Sequence, residues 1–547
     1  MGMRGLLTAV GFALAFWVAG VQAQPPMNVV VIVADDLSVD AFEALLDSTH
    51  APNLRDRLVA QGISFTNAFV TNAECCPSRA TLLRGQYSHN HGVLANQSPD
   101  PFVAGIGWPG WLPSGSDPGA ESSTIATWAQ AAGYTTGYIG KYLNGYGRVA
   151  PDGVTDPRTY VPPGWDDWQG LIDPTTYRMY EYELNDNGVV VAYGSDVADY
   201  QTDVLADRTA EFLDERGVDG APFLLVVSPL APHVEILDPL DVVLSADYLE
   251  AFETSIRPAE RHEHLVDADT ANGEVPELIG KGSFNEQDVS DKPSCPMSTE
   301  PEAIVTYNVE PLCPGDLPRL GQADIDRVRS QYKHMLASMV AVDELLGRVL
   351  DKLDQLGMAD RTIVVFMSDN GHLYGEHRAS GKGVPYEESI RVPLVVRSPL
   401  ASGPASVDGV VLNNDLAPTI AELTSASPTY EPDGRSLVPL LADPDTAAWD
   451  RKRFLVERWY IPSLLKFEMA SYSALRNLVG VDILYVAWRT DPAQPGVVTD
   501  REFYSIAADP DQRAAVALPA SVTQVLDKLS QLLRGCAGAT CKNAEDM

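Results

Sequence analysis

Positive charge is scarce in this chain: 39 lysines and arginines stand against 75 aspartates and glutamates, a formal net charge of −36 over 547 residues. Nucleic-acid binding needs a basic face for phosphate contacts, so that class is excluded. An anionic small substrate is not excluded, because a bound cation and a few lysines can make a positive pocket inside an acidic protein. The scattered carboxylates otherwise serve solubility. Long hydrophobic runs are absent beyond the first two dozen residues. No later stretch approaches the ~18 unbroken apolar residues that span a bilayer, so a soluble mature protein without stable membrane insertion is expected. No internal repeat or low-complexity block is present.

The one long apolar run lies at the start. Arg4, the run Leu6 to Val21, and Val21-Gln22-Ala23 form the charged region, apolar region and small-x-small cleavage site of a secretory signal. Residues 1–23 are read as a signal peptide, so the protein is expected to be secreted or periplasmic. An uncleaved membrane anchor competes, but the run is short for spanning and ends at a good cleavage site. The roughly 520 residues that remain are too many for one core. The expected division is a catalytic domain over 24–440 and a smaller α+β domain over 441–547. The sequon Asn96-Gln97-Ser98 is a single glycosylation match.

Asn28-Val29-Val30-Val31-Ile32-Val33-Ala34 is a β-branched run ending in Asp35-Asp36, which reads as a strand buried on both faces with a polar carboxyl end. Thr362-Ile363-Val364-Val365-Phe366-Met367, ending in Ser368-Asp369-Asn370-Gly371, repeats the pattern. Phe223–Val227 and Thr135–Gly140 are further strand candidates. From Ala323 to Leu356, Met335, Met339, Val342, Leu345, Leu346, Val349, Leu350 and Leu353 recur at three and four and predict a long helix closed by Gly357. A helix feeding the Thr362 strand is the alternation of a doubly wound sheet, and strands ending in carboxylates place a site at its carboxyl edge. The polar stretch 255–320 reads as a surface excursion. Beyond Pro428, the segments Phe454–Val456, Ser471–Arg476 and Asp482–Trp488 read as short strands near hairpin spacing, and Val522–Leu533 as a helix, giving a small antiparallel sheet with one helix.

The oxygen donors at the two strand ends, Asp35, Asp36, Asp369 and Asn370, suit a hard divalent cation, calcium or magnesium, over zinc. Cys75-Cys76-Pro77-Ser78-Arg79, followed by Ala80-Thr81-Leu82-Leu83-Arg84-Gly85, resembles the sulfatase signature C-x-P-S-R. The resemblance implies that Cys75 is oxidised after translation to formylglycine (3-oxoalanine) by a formylglycine-generating enzyme. A serine sulfate would hydrolyse very slowly, whereas the hydrated aldehyde attacks with one hydroxyl and expels sulfate when the other loses its proton. With Cys75 oxidised and Cys76 a thiol, Cys295 with Cys313 and Cys536 with Cys541 are two sequence-local candidate disulfides, their connectivity open.

Other segments match the same family in order. Gly371 to Glu376-His377, continuing through Lys382 and Tyr386 to Leu394, is similar to its second signature, in which Lys382 corresponds to a sulfate-binding lysine. Gly140-Lys141-Tyr142-Leu143-Asn144 resembles a second lysine motif. Leu143 stands there where many members have histidine, with Asn144 beside it. The resemblance implies one calcium ion on Asp35, Asp36, Cys75, Asp369 and Asn370. It also implies catalytic roles for Cys75, Arg79, Lys141, Lys382 and His233, the last as acid toward the leaving oxygen, with an aspartate as base. Ser78 and His91 fall in supporting places. The implied fold is alkaline-phosphatase-like: a large, mostly parallel mixed sheet flanked by helices, with a smaller C-terminal antiparallel sheet plus helix.

The signature forms are closest to the N-acetylglucosamine-6-sulfatase branch and related arylsulfatases. The expected reaction is hydrolysis of a sulfate monoester, of a sugar such as N-acetylglucosamine 6-sulfate. An arylsulfatase, a phosphonate or phosphodiester hydrolase of the same superfamily, and a catalytically dead binding protein are the alternatives.

Overall fold

The strand β1 (Asn28–Ala34) is buried at every position. Val29, Val31 and Val33 enter one apolar cluster, while Val30, Ile32 and Ala34 enter another. A strand covered on both faces must lie inside a sheet with helices on each side. The computed structural model describes residues 26–547 except 97–109, 113–118, 150, 152, 237–255, 268–279, 295–312, 446–447, 460–469, 492–493 and 495. The expected signal peptide, Cys295 and most of the sequon lie outside the described residues.

Among the described residues the main sheet has ten strands. In chain order they are β1, β2 (Ile63–Phe65), β3 (Thr135–Gly140), β4 (Asp167–Leu171), β5 (Glu183–Asp186), β6 (Val189–Ala192), β7 (Phe223–Ser228), β8 (Thr362–Ser368), β9 (Leu394–Arg397) and β10 (Ala405–Val407). The spatial order is β10-β2-β9-β8-β1-β7-β3-β4-β5-β6. The five central strands, β8-β1-β7-β3-β4, run parallel, and antiparallel pairings appear toward both edges. This is the mixed, mostly parallel sheet expected.

Flanking helices include α1 (Val39–Asp47), α2 (Cys75–Arg84), α3 (Ile125–Ala131), α4 (Gln201–Asp219), α5 (Gln322–Gln355) and α6 (Leu416–Leu423). One apolar cluster joins α1, α4 and α5 to the sheet, and the other joins α2, α3 and α6. The long helix thus falls within one residue of its expected limits, because its apolar stripe at three and four is the face that meets the sheet.

A second sheet of four antiparallel strands follows: β11 (Arg453–Arg458), β12 (Ser471–Asn477), β13 (Ile483–Arg489) and β14 (Asp500–Ser505). The helix α7 (Ala520–Arg534) packs on it. The first two strands extend the runs read from the sequence, and the third is shifted by one residue from its run. β14, Asp-Arg-Glu-Phe-Tyr-Ser, escaped that reading because an edge strand with exposed polar positions lacks a hydrophobic run.

The small sheet shares an apolar cluster with Phe69, Tyr87, Leu373, Val384 and Tyr386 of the larger part. Arg451, fully buried, pairs with Asp415 at 2.5 Å and Glu545 at 2.9 Å. Cys536 and Cys541 form a disulfide, and Cys313 is also disulfide-bonded. Cys75 and Cys76 are free. Among the described residues no helix is long and apolar enough to cross a membrane.

Candidate active site

β1 and β8 pair in parallel with Ala34 opposite Ser368, so Asp35-Asp36 and Asp369-Asn370 leave the same sheet edge side by side. β7, on the other side of β1, leads into the turn that carries His233. β3, next beyond, ends at Gly140, and Lys141 N donates to Ser228 O at 2.8 Å. Gly140 is required at this crossing: its φ is +117°, and a Cβ there would lie 2.1 Å from Ser228 O. Cys75 is the first residue of α2, and Arg79 follows one turn later on the same helix face. Loops from five elements therefore meet at one edge, as expected for an α/β sheet.

Cys75 Sγ lies 2.6 Å from Lys382 Nζ and 3.4 Å from Asp35 Oδ1. Lys382 also pairs with Asp36, and Lys141 with Asp35. Arg79 donates from Nε to Asp369 at 2.8 Å and from Nη1 to the Lys141 carbonyl at 2.8 Å. Asp36 N donates to Asp369 Oδ1 at 3.2 Å. His233 donates from Nδ1 to Val234 O at 2.7 Å, which leaves Nε2 facing Asp36 at 3.6 Å.

All of these groups are buried. Burial alone would raise Asp35 and Asp36, but Lys141 beside the first, Lys382 beside the second and His233 near both hold them below the usual carboxylate range. Asp369 goes the other way, raised by burial and by Asp35. Burial would likewise deprotonate Lys141 and Lys382, yet the facing carboxylates keep both above the ordinary lysine value. Burial pushes the Cys75 thiol well up, reinforced by Asp35, and lowers His233 to about 4 against the pull of Asp36.

Oxygen-rich donors gather here. Asp35, Asp36, Cys75 and His233 offer ligand atoms within 4.8 Å of one another, a set that can hold a metal ion. Asn370 Nδ2 donates to Asp36 Oδ1 at 2.7 Å and to Gly371 O at 2.9 Å, leaving Asn370 Oδ1 buried without a hydrogen-bond partner. A buried orphan oxygen among carboxylates fits a hard divalent cation. Asp35, Asp36 and Asp369 formally balance Arg79, Lys141 and Lys382, with which they pair.

Two residues at the site, His372 and Tyr177, are assigned no role from the sequence. His372 Nδ1 lies 3.7 Å from Asp36. The Tyr177 ring stands between Lys141, whose Nζ is 4.9 Å from its centroid, and the His233 ring at 5.2 Å. Asn144 donates to Tyr177 OH at 2.6 Å, whereas Leu143 is buried in the apolar core. Ser78 Oγ donates to the Asp369 carbonyl and accepts from Asn413 at 2.9 Å. His91 packs away from the chemistry, its Nδ1 accepting from Val93 N at 3.1 Å and its Nε2 lying 3.0 Å from Thr81 Oγ1. Asn96 Oδ1 accepts from Cys76 N at 2.8 Å and so caps the helix that begins at Cys75.

The family model described as Sulfatase matches residues 27–426. The chain belongs to the sulfatase family. An arylsulfatase of Volvox carteri is 30% identical to this sulfatase over 98% of this chain and 78% of its own. The human N-acetylglucosamine-6-sulfatase is 27% identical over 98% of this chain and 89% of its own. A solved protein bound to its substrate D-glucosamine-2-N,6-O-disulfate superposes with a TM-score of 0.67 at 22% identity, covering 95% of this chain and 99% of that one. The last likeness carries the fold, which is the alkaline-phosphatase-like one expected. This sulfatase is a sulfuric ester hydrolase.

Proposed function

We propose that this sulfatase removes sulfate from a sulfated sugar of the glucosamine 6-sulfate class, using formylglycine made from Cys75 and one calcium ion. The observation that carries the reading is the convergence on Cys75. Lys382 Nζ and Asp35 Oδ1 flank its Sγ, with Lys141 on the same aspartate. The named sugar-sulfatase relative, alike over nearly the whole chain, supports the substrate class.

Asp35, Asp36, Asp369 and Asn370, with the oxidised Cys75, would hold calcium, which supplies charge neutralisation at the sulfate oxygens. Hydrated formylglycine at position 75 supplies a nucleophile with two hydroxyls on one carbon. Lys141 and Lys382 are movable point charges for the remaining sulfate oxygens. Arg79, held by Asp369 and the Lys141 carbonyl, keeps the start of α2 against the sheet edge. His233 delivers a proton from Nε2 to the departing sugar oxygen, since a bare alkoxide leaves poorly. The negative charge of a bound sulfate ester favours the protonated imidazole, offsetting the burial that lowers it.

Cleavage of residues 1–23, export, and a domain boundary near residue 440 belong to the same proposal. The test uses protein made in a host with a formylglycine-generating system. Peptide mass analysis should find Cys75 lighter by about 18 Da, the thiol-to-aldehyde change of the proposed nucleophile, and the purified enzyme should release sulfate from N-acetylglucosamine 6-sulfate. Active protein carrying only thiol at Cys75 sinks the mechanism, and absent sugar-sulfate turnover sinks the substrate class.

A further inference from the structure

Arg458 ends β11, the first strand of the C-terminal sheet, and its side chain is buried against segments of the larger part. Its Nε lies 2.9 Å from Oε1 of Glu74, the residue immediately before Cys75. Its Nη1 donates at 3.0 Å to the carbonyl of Gly383, the residue immediately after Lys382. Gly383 has φ +83°, and a Cβ there would sit 2.9 Å from Nη1, so the close approach needs glycine. The second Glu74 oxygen accepts from Asn96 N at 3.1 Å, and Asn96 in turn caps Cys76 N.

We propose that Arg458 is a positioning residue for sulfate ester hydrolysis: one guanidinium, contributed by the C-terminal sheet, fixes Cys75 and Lys382 relative to each other. The inference rests on the roles given above to those two residues. The guanidinium is planar and rigid, so pairing with a carboxylate on one side while donating to a carbonyl on another sets the distance between the two segments. A lysine ammonium, a point charge on a flexible stem, satisfies Glu74 without fixing Gly383. The C-terminal sheet is thereby part of the frame of the active site, although Arg458 touches no reacting atom.

The test is a double-mutant cycle on the calcium-loaded, oxidised full chain. Arg458→Met and Arg458→Lys are each made alone and with Lys382→Ala, and read by kcat/KM on nitrophenyl sulfate, inorganic sulfate affinity by calorimetry, and the oxidised fraction of Cys75 by peptide mass. Misplacement of reacting groups by about 1 Å costs on the order of 100-fold, so each single Arg458 variant should lose roughly that in kcat/KM, with weaker sulfate binding and unchanged Cys75 oxidation. In the Lys382→Ala background the same substitution should cost less than about 3-fold, because one of the two groups whose relative placement it fixes is gone. Equal factors in both backgrounds overturn the proposal, as do parental rate and sulfate affinity in the Arg458 variants. If Arg458→Met fails to fold, Arg458→Lys, which keeps the charge opposite Glu74, carries the cycle. Undiminished turnover in Lys382→Ala alone removes the premise and fails the assignment of Lys382 itself, a result distinct from additivity.

Discussion

Asn370 and Asp36 are joined across the two central strands by a 2.7 Å hydrogen bond from Nδ2 to Oδ1. With a second bond to Gly371 O, it uses the donor end of the amide and leaves the buried oxygen without a hydrogen-bond partner. Backbone conformation adds to the arrangement: Asp36 sits at φ 66°, a left-handed conformation that is costly for a residue with a side chain.

The cation is tested most cleanly by Asp369→Asn, which keeps a hydrogen-bond partner for Arg79 while removing one negative charge. Calcium affinity by titration calorimetry should fall, and turnover should drop by at least ~100-fold, the scale of losing one preorganised electrostatic contact. Circular dichroism should stay unchanged. Full turnover in a chelator-washed variant would remove calcium from the mechanism.

His233→Ala separates leaving groups. On a sugar sulfate, whose alkoxide needs a proton, the loss should be roughly 10²- to 10⁴-fold, the range of general acid catalysis. On nitrophenyl sulfate it should be small. Equal losses on both substrates would mean that the imidazole serves binding or structure.

Arg451→Met should lower stability by ~3–5 kcal/mol, because it leaves the buried Asp415 carboxylate without its cation and Glu545 with Arg435 alone. Denaturant midpoints measure this. An unchanged midpoint would show that the two carboxylates find other partners. No first-order effect on sulfate affinity is expected, since Arg451 lies outside the catalytic set.

His89 links the two parts of the chain through Glu457, whose oxygens lie 2.9 and 3.0 Å from Nδ1, and through the Cys536 carbonyl, 3.1 Å from Nε2. Burial lowers His89, but Glu457 outweighs it and holds the imidazole above its ordinary value. Two acceptors on opposite ring nitrogens are both satisfied only by the imidazolium. The stability it contributes is therefore complete below the unfolded value near 6.5 and is lost as pH rises through the raised folded value. The melting-temperature gap between parent and His89→Gln should shrink as pH rises across that window. A gap that widens with pH would reverse the assignment.

The sequence by itself determined the parts whose cause is local. A β-branched run with no polar interruption has to be a strand covered on both faces, and a stripe at three and four over 34 residues has to be a helix against a sheet. Cys75 with Arg79, and Lys382 in its glycine-rich segment, are singled out only through resemblance to family motifs, whereas the oxygen donors stand out by following two buried strands. Tertiary structure alone decided the order of the strands, which depends on crossover connections, and the meeting of Lys382 with Cys75 from 307 residues away. It also decided the roles open to Tyr177, His372 and Arg458, because a single polar or aromatic side chain leaves no periodicity in the sequence. Its partner is fixed only when packing brings a distant backbone within the few ångströms over which hydrogen bonds and ion pairs act.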